Sequence, residues 1–155
     1  RQRQMCIRDS LVLARPVWSC NRQEAMTLAE RLGAPIDDSK VTIGGGLDDF
    51  MHQLCDGLGT TLRAPLVVRV GARGAWIREP GGETIHIEGY PTKAVHTRSA
   101  GGCHTGVMCA MLAKGHSLAE SVKIANAAAS IAIQRSLNGV PQCPEYDEAI
   151  ALIGE

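Results

Sequence analysis

Hydrophobic and polar positions along the chain change period several times, and each change marks an element. Leu11 to Ser19 is apolar and β-branched with Pro16 inside it, which predicts one or two short strand pieces with a break. Ala25, Leu28, Ala29 and Leu32 then recur at the i, i+3, i+4, i+7 spacing of a helix, and Gly33 supplies its stop. A second helical stripe carries Leu47, Phe50, Met51, Leu54 and Leu58, with Asp48 and Asp49 near its positive end. Pro65 to Val70 is almost continuously apolar, as a strand buried on both faces of a parallel sheet should be. Gly71-Ala72-Arg73-Gly74 turns the chain into Ala75-Trp76-Ile77-Arg78, and Pro80-Gly81-Gly82 turns it again. Thr84 to Glu88 alternates cleanly, as a half-exposed antiparallel strand does, so the sheet is expected to be mixed.

The remaining pattern is helical. Gly102 to Lys114 carries Val107, Ala110 and Met111 and ends at Gly115. Ser117 with Glu120 forms a capping-box signature for the next helix, whose stripe is Val122, Ala125, Ala129 and Ala132. Pro144, placed in a first turn, opens a last helix on Tyr146, Ala149, Ile150 and Ile153. Helices and strands alternate, which places the chain in the α/β class.

Composition narrows the function classes. The 155 residues are 45% apolar, enough for one globular core. Sixteen Lys and Arg balance sixteen Asp and Glu, so the summed field that non-specific binding to nucleic acid or an anionic membrane needs is absent. Aromatics at 3% leave little for base stacking. Cys6, Cys20, Cys55, Cys103, Cys109 and Cys143 contain no C-x-x-C pair and read as reduced thiols of a cytoplasmic protein. No apolar run approaches the roughly 18 residues of a membrane span, and Leu11 to Ala14 is too short for a signal-peptide core. Residues 1–10 carry four charges and no period; Met5 to Ser10 resembles the translation of a transposon end used in sequencing libraries, which predicts a non-native leader ahead of 11–155.

Two segments carry candidate chemistry. His96-Thr97-Arg98-Ser99-Ala100-Gly101-Gly102 is a small-residue loop between a strand and a helix. Either it is a tight turn, or the N–H groups of the helix start hold an anion, most naturally a phosphate. Asn21-Arg22-Gln23-Glu24 opens the first helix; it reads as a capping box, and alternatively as a polar cluster ordering metal and water around phosphates. A metal site from His96, Cys103, His104 and Cys109 would match no common ligand spacing.

Asn21-x-x-Glu24, the Gly71-x-x-Gly74 turn, the Thr97-to-Gly106 loop and Ala125-Asn126-Ala127-Ala128 together resemble the PfkB-type carbohydrate kinases, the ribokinase-like family. The similarity runs from about Arg15 to the C-terminus and looks like the C-terminal, nucleotide-binding half of such a kinase. It implies a ribokinase-like α/β fold, the C-terminal part of a mixed, mostly parallel sheet flanked by helices. It further implies ATP and Mg2+ as cofactors, a small sugar or nucleoside as acceptor, no nucleic-acid or membrane partner, and scope for a homodimer in the full-length parent. The resemblance gives Asn21 and Glu24 a part in placing magnesium and phosphate, Ala100, Gly101 and Gly102 the anion hole, and Gly71, Gly74 and Asn126 the walls of the adenine pocket.

Three positions depart from the family pattern. Gly102 stands where the family has its catalytic Asp, His96 where an Asp usually opens the motif, and Ser99 where Gly is frequent. Gly102 cannot accept a proton, and a positioned general base typically contributes about 10²–10⁴ in rate. His104 lies two positions on, about 200° round a helix, and reads as a surface or packing histidine rather than a replacement base. The His96 substitution also counts against the monovalent-cation site of many relatives. Backbone donors survive the loss of the Asp, so weak nucleotide binding without turnover is coherent. Two functions follow: a fragment of an ATP-dependent sugar or nucleoside kinase, or a non-catalytic nucleotide-binding or regulatory module on the same fold.

Overall fold

The structure, a computed structural model, describes residues 16–36, 46–95, 97, 100–137 and 140–154, with only the backbone described at 136, 137 and 141. Residues 1–15, His96, Arg98 and Ser99 lie outside the described residues, and with them the expectations for the leader, the early strand piece and the first part of the loop.

The chain runs β1 (Trp18–Asn21), α1 (Arg22–Leu32), α2 (Leu47–Leu62), β2 (Leu66–Arg69), a 3₁₀ turn (Gly71–Arg73), β3 (Ala75–Arg78) and β4 (Thr84–Ile87). Then follow α3 (Ala100–Ala113), α4 (Leu118–Gln134), a small hairpin of β5 (Ser136–Leu137) and β6 (Val140–Pro141), and α5 (Tyr146–Gly154). The larger sheet has the order β1-β2-β3-β4. Connections of a few residues join β2 to β3 and β3 to β4, far short of the dozen or so that a parallel crossover needs. β1 and β2 are separated by two helices, as parallel neighbours require. The sheet is thus mixed, as expected.

Contacts divide the chain into two compact units, one holding the described residues up to Val68 together with Trp76–His86, the other Arg69–Ala75 together with Ile87 onward. In the first, α2 buries Met51, Leu54, Cys55, Leu58 and Leu62, α1 buries Ala25 and Ala29, and the central strands bury Leu66, Val67, Val68, Trp76 and Ile77. α1 begins and ends where the sequence predicts: Gly33 closes it at φ +62°, and Ala34 N–H donates to Ala29 O at 2.9 Å. In the second unit α3 and α5 both pack on α4, and Met111, Ile124, Ala127, Ala128 and Ala149 form a shared core. The Ser117–Glu120 capping box forms as predicted.

Among the described residues the strand piece that follows Pro16 begins at Trp18. Three expectations are corrected. On β4 the apolar alternation does not mark the buried side: Ile85 is 44% exposed, while Thr84 is buried and donates from Oγ1 to Asp56 at 2.6 Å. His86, on the same side as Thr84, stacks on Trp76 with ring centroids 3.9 Å apart. In α3 the buried stripe is His104, Met108 and Met111, and Ala110 is exposed. Finally α5 starts at Tyr146, two residues after Pro144.

Candidate functional site

The small-residue loop of the second unit ends in the first turn of α3, where backbone N–H groups precede the first intrahelical bond. Ala100 N–H is not free for a ligand, because it donates to Thr97 O at 3.3 Å. Gly101 and Gly102 follow it in that turn. Arg69, at the end of β2, lays its guanidinium against Gly101 so closely that a Cβ there would overlap Nη1. Arg69 Nε is buried without a hydrogen-bond partner. A guanidinium beside a positive helix end is an arrangement that favours an anion. At Gly102 an added Cβ meets nothing within 4 Å, so the position has open space for a longer side chain.

His104, two positions beyond Gly102, is 4% exposed and its Nε2 lies 2.9 Å from Asn126 Oδ1. Asn126 Nδ2 donates to Ile87 O at 3.1 Å and Glu88 O at 3.0 Å, which fixes Oδ1 as the acceptor and makes His104 the Nε2–H tautomer. Burial pushes the His104 pKa down to about 4; the Asn126 hydrogen bond opposes that and the Arg69 charge adds to it. The histidine is therefore neutral and enclosed, a packing residue as one of the sequence readings had it. Asn126 directs its amide N–H groups to Ile87 O and Glu88 O at the end of β4 and its oxygen to His104, and Ser130, one turn on, donates to Tyr90 O at 3.1 Å.

Gly71 and Gly74 bracket the 3₁₀ turn at φ +52° and +85°. Gly74 N–H donates to Gly71 O at 3.1 Å. A side chain at Gly74 would overlap Ile87 O, so this turn holds the backbone of residues 87–89 at van der Waals distance and only glycine fits.

Asn21 and Glu24 belong to the first unit, and there they make the reciprocal capping box. Glu24 N–H donates to Asn21 Oδ1 at 2.9 Å and Asn21 N–H to Glu24 Oε2 at 2.8 Å. Both residues are exposed, and Glu24 also borders an open recess of about 430 Å³ with Trp18, Cys20, Thr27 and Leu28. Among the described residues no group of His, Cys, Asp and Glu gathers to hold a metal. Of the four ligands weighed from the sequence, His104 faces Asn126, Cys103 faces Cys143, and His96 lies outside the described residues.

Sequence reading missed Arg69, whose signal was a lone cation inside the apolar run Pro65 to Val70. It also missed Asp56, which accepts from both Arg78 and Thr84, and Asp48, which accepts from Trp76 Nε1 at 2.7 Å. These carboxylates organise the first unit.

A model of the family described as pfkB family carbohydrate kinase matches residues 19–143. The uncharacterized sugar kinase YegV of Escherichia coli K12 is 34% identical over 120 residues, covering 77% of this chain and 33% of the relative. The chain therefore spans about a third of that relative's length. Among solved structures, Arabidopsis thaliana ribokinase complexed with ribose and ATP superposes with a TM-score of 0.66 at 21% identity, covering 88% of this chain and 40% of that one. A putative ribokinase II from E. coli in complex with ATP and Mg2+ gives a TM-score of 0.63 at 21% identity, covering 99% of this chain and 46% of that one. Those likenesses establish a ribokinase-like α/β fold. Among the described residues no helix is long and apolar enough to cross a membrane.

Proposed function

Because this chain belongs to the pfkB family of carbohydrate kinases, we propose that it is the C-terminal, nucleotide-side part of an ATP-dependent kinase whose base position is occupied by Gly102. In the parental reaction a sugar or nucleoside hydroxyl attacks the γ-phosphate, and a base takes its proton. The observation that carries the reading is the Arg69 guanidinium laid on Gly101 at the start of α3, with a buried Nε that has no partner. Phosphate oxygens would satisfy both the first-turn N–H groups and the cation.

Neither neighbour of Gly102 replaces the base. His104 is turned into the protein toward Asn126, and Cys103 has its thiol pushed up to about 12 by burial, then by its hydrogen bond and proximity to Cys143. For magnesium, Glu24 offers an exposed carboxylate whose Oε1 lies outside the capping box, the single hard oxygen ligand that Mg2+ combines with waters and substrate phosphates. The Gly71–Gly74 turn and the segment held by Asn126 would shape the nucleotide's surroundings through backbone rather than through the Asn126 amide. His96 stands outside the described residues, and no monovalent-cation site is assigned.

Gly102, with no side chain to accept a proton, favours the second reading, a nucleotide-binding module without turnover, for the chain as it stands. Equilibrium titration of the full chain with Mg-ATP and Mg-ADP tests the shared premise. Saturable binding that weakens on Arg69→Met is expected; binding indifferent to Arg69, or none, would remove the phosphate role of this loop.

A further inference from the structure

Cys103 and Cys143 stand 40 positions apart in the chain, yet their Sγ atoms lie 2.7 Å apart in the second unit. Cys103 sits in the first turn of α3, half-buried against the core shared with α5, and Cys143 is exposed in the segment that leads into α5. The other described thiols are placed differently. Cys20 and Cys55 are buried in the first unit, and burial pushes Cys55 up to about 12. Cys109 is exposed on α3, but six residues beyond Cys103 and so about 240° round the helix.

We propose that Cys103 and Cys143 form a reversible intrachain disulfide when a low-molecular-weight disulfide such as oxidised glutathione accumulates. Cys143, the thiol that solvent reaches, loses its proton and its sulfur attacks one sulfur of the oxidant, releasing one reduced glutathione and leaving a mixed disulfide on Cys143. Cys103, already in contact, then loses its proton and attacks Cys143 Sγ, expelling the second glutathione. Two protein thiols are oxidised and one glutathione disulfide is reduced to two thiols, so atoms and electrons balance. Burial that keeps Cys103 protonated makes it a poor first attacker, and contact with Cys143 makes it an effective second one. The bridge fastens the turn that follows Gly102 to the entry of α5. Its formation does not depend on whether the loop binds phosphate, so the two readings fail separately.

The full chain is equilibrated in glutathione buffers of increasing oxidised fraction, alkylated and cut with trypsin. Cleavage after Arg98, Lys114 and Arg135 yields 99–114, with Cys103 and Cys109, and 136–155, with Cys143. The expected product is the two peptides joined, two hydrogens lighter than their sum, persisting in Cys109→Ser and lost in Cys103→Ser and Cys143→Ser. The joined species should also show a higher urea midpoint than the reduced chain, and in urea-unfolded protein the link should scatter to Cys109. Glutathione remaining as a mixed disulfide on Cys143, a link surviving Cys103→Ser, or joining only between two chains would each overturn the proposal.

Discussion

Lowering the pH from 7 to 4 should destabilise this protein through His104, and by an amount the structure sets. The ring is 4% exposed, donates from Nε2 to Asn126, and leaves Nδ1 buried without a partner. A second proton at Nδ1 would place a charge in a buried site near Arg69, and the pKa falls from the ordinary 6.5 to about 4. In the unfolded chain the same residue titrates near its ordinary value. Stability from keeping it neutral is therefore complete above about pH 6.5 and declines as pH falls toward 4, where the folded form also takes up the proton. About two and a half pH units at 1.36 kcal/mol each amounts to roughly 3 kcal/mol. Glu120 and Glu148, held low by hydrogen bonds from Ser117 and Arg135, push in the same direction at lower pH, so the wild type alone is insufficient. The assay is urea unfolding of wild type and His104→Gln at half-unit steps between pH 4 and 7.5. The difference in unfolding free energy should shrink by about 3 kcal/mol from pH 7 to pH 4, and a difference constant across that range would refute a neutral buried His104.

Other consequences are more quickly checked. Asn126→Ala strands Ile87 O, Glu88 O and the His104 N–H, and should cost about 3 kcal/mol or more in urea unfolding. Gly74→Ala forces a side chain onto Ile87 O at φ +85° and should lower stability by about 2–4 kcal/mol, whereas Gly102→Ala, in open space, should fold normally by circular dichroism and thermal melting. Arg69→Met should weaken Mg-ATP binding about tenfold and flatten its salt dependence in titrations at rising ionic strength, the loss of one charge-assisted contact.

Much of the fold was legible because its signals are local. Asn21 with Glu24, Ser117 with Glu120, and Gly33 act within a turn of their own helices, and all three formed where the residue types placed them. The register of α3 was not legible, since Ala, Gly, Cys, Val, Met and Leu surround the helix almost evenly and the buried His104 breaks the apolar rule. β4 misled for a similar reason: Thr84 is its buried residue because Asp56 accepts from the hydroxyl, and that partner lies 28 positions away in sequence. The candidate site divides the same way. Its glycines announced a turn and a close approach, which Gly74 and Gly101 both make. The cation that gives the loop its charge comes from β2, and Asn126 clamps the backbone at the end of β4 through contacts that its sequence neighbours do not announce.

The central claim is that an intact phosphate site stands beside a base position emptied by Gly102. Its most direct measurement is γ-phosphate transfer to a panel of sugars and nucleosides by this chain completed with the N-terminal portion of a relative, compared between Gly102 and Gly102→Asp. Similar Mg-ATP affinity in the two proteins and at least about a hundredfold faster transfer with the Asp are expected. Equal rates, or ATP binding by neither protein, would contradict it.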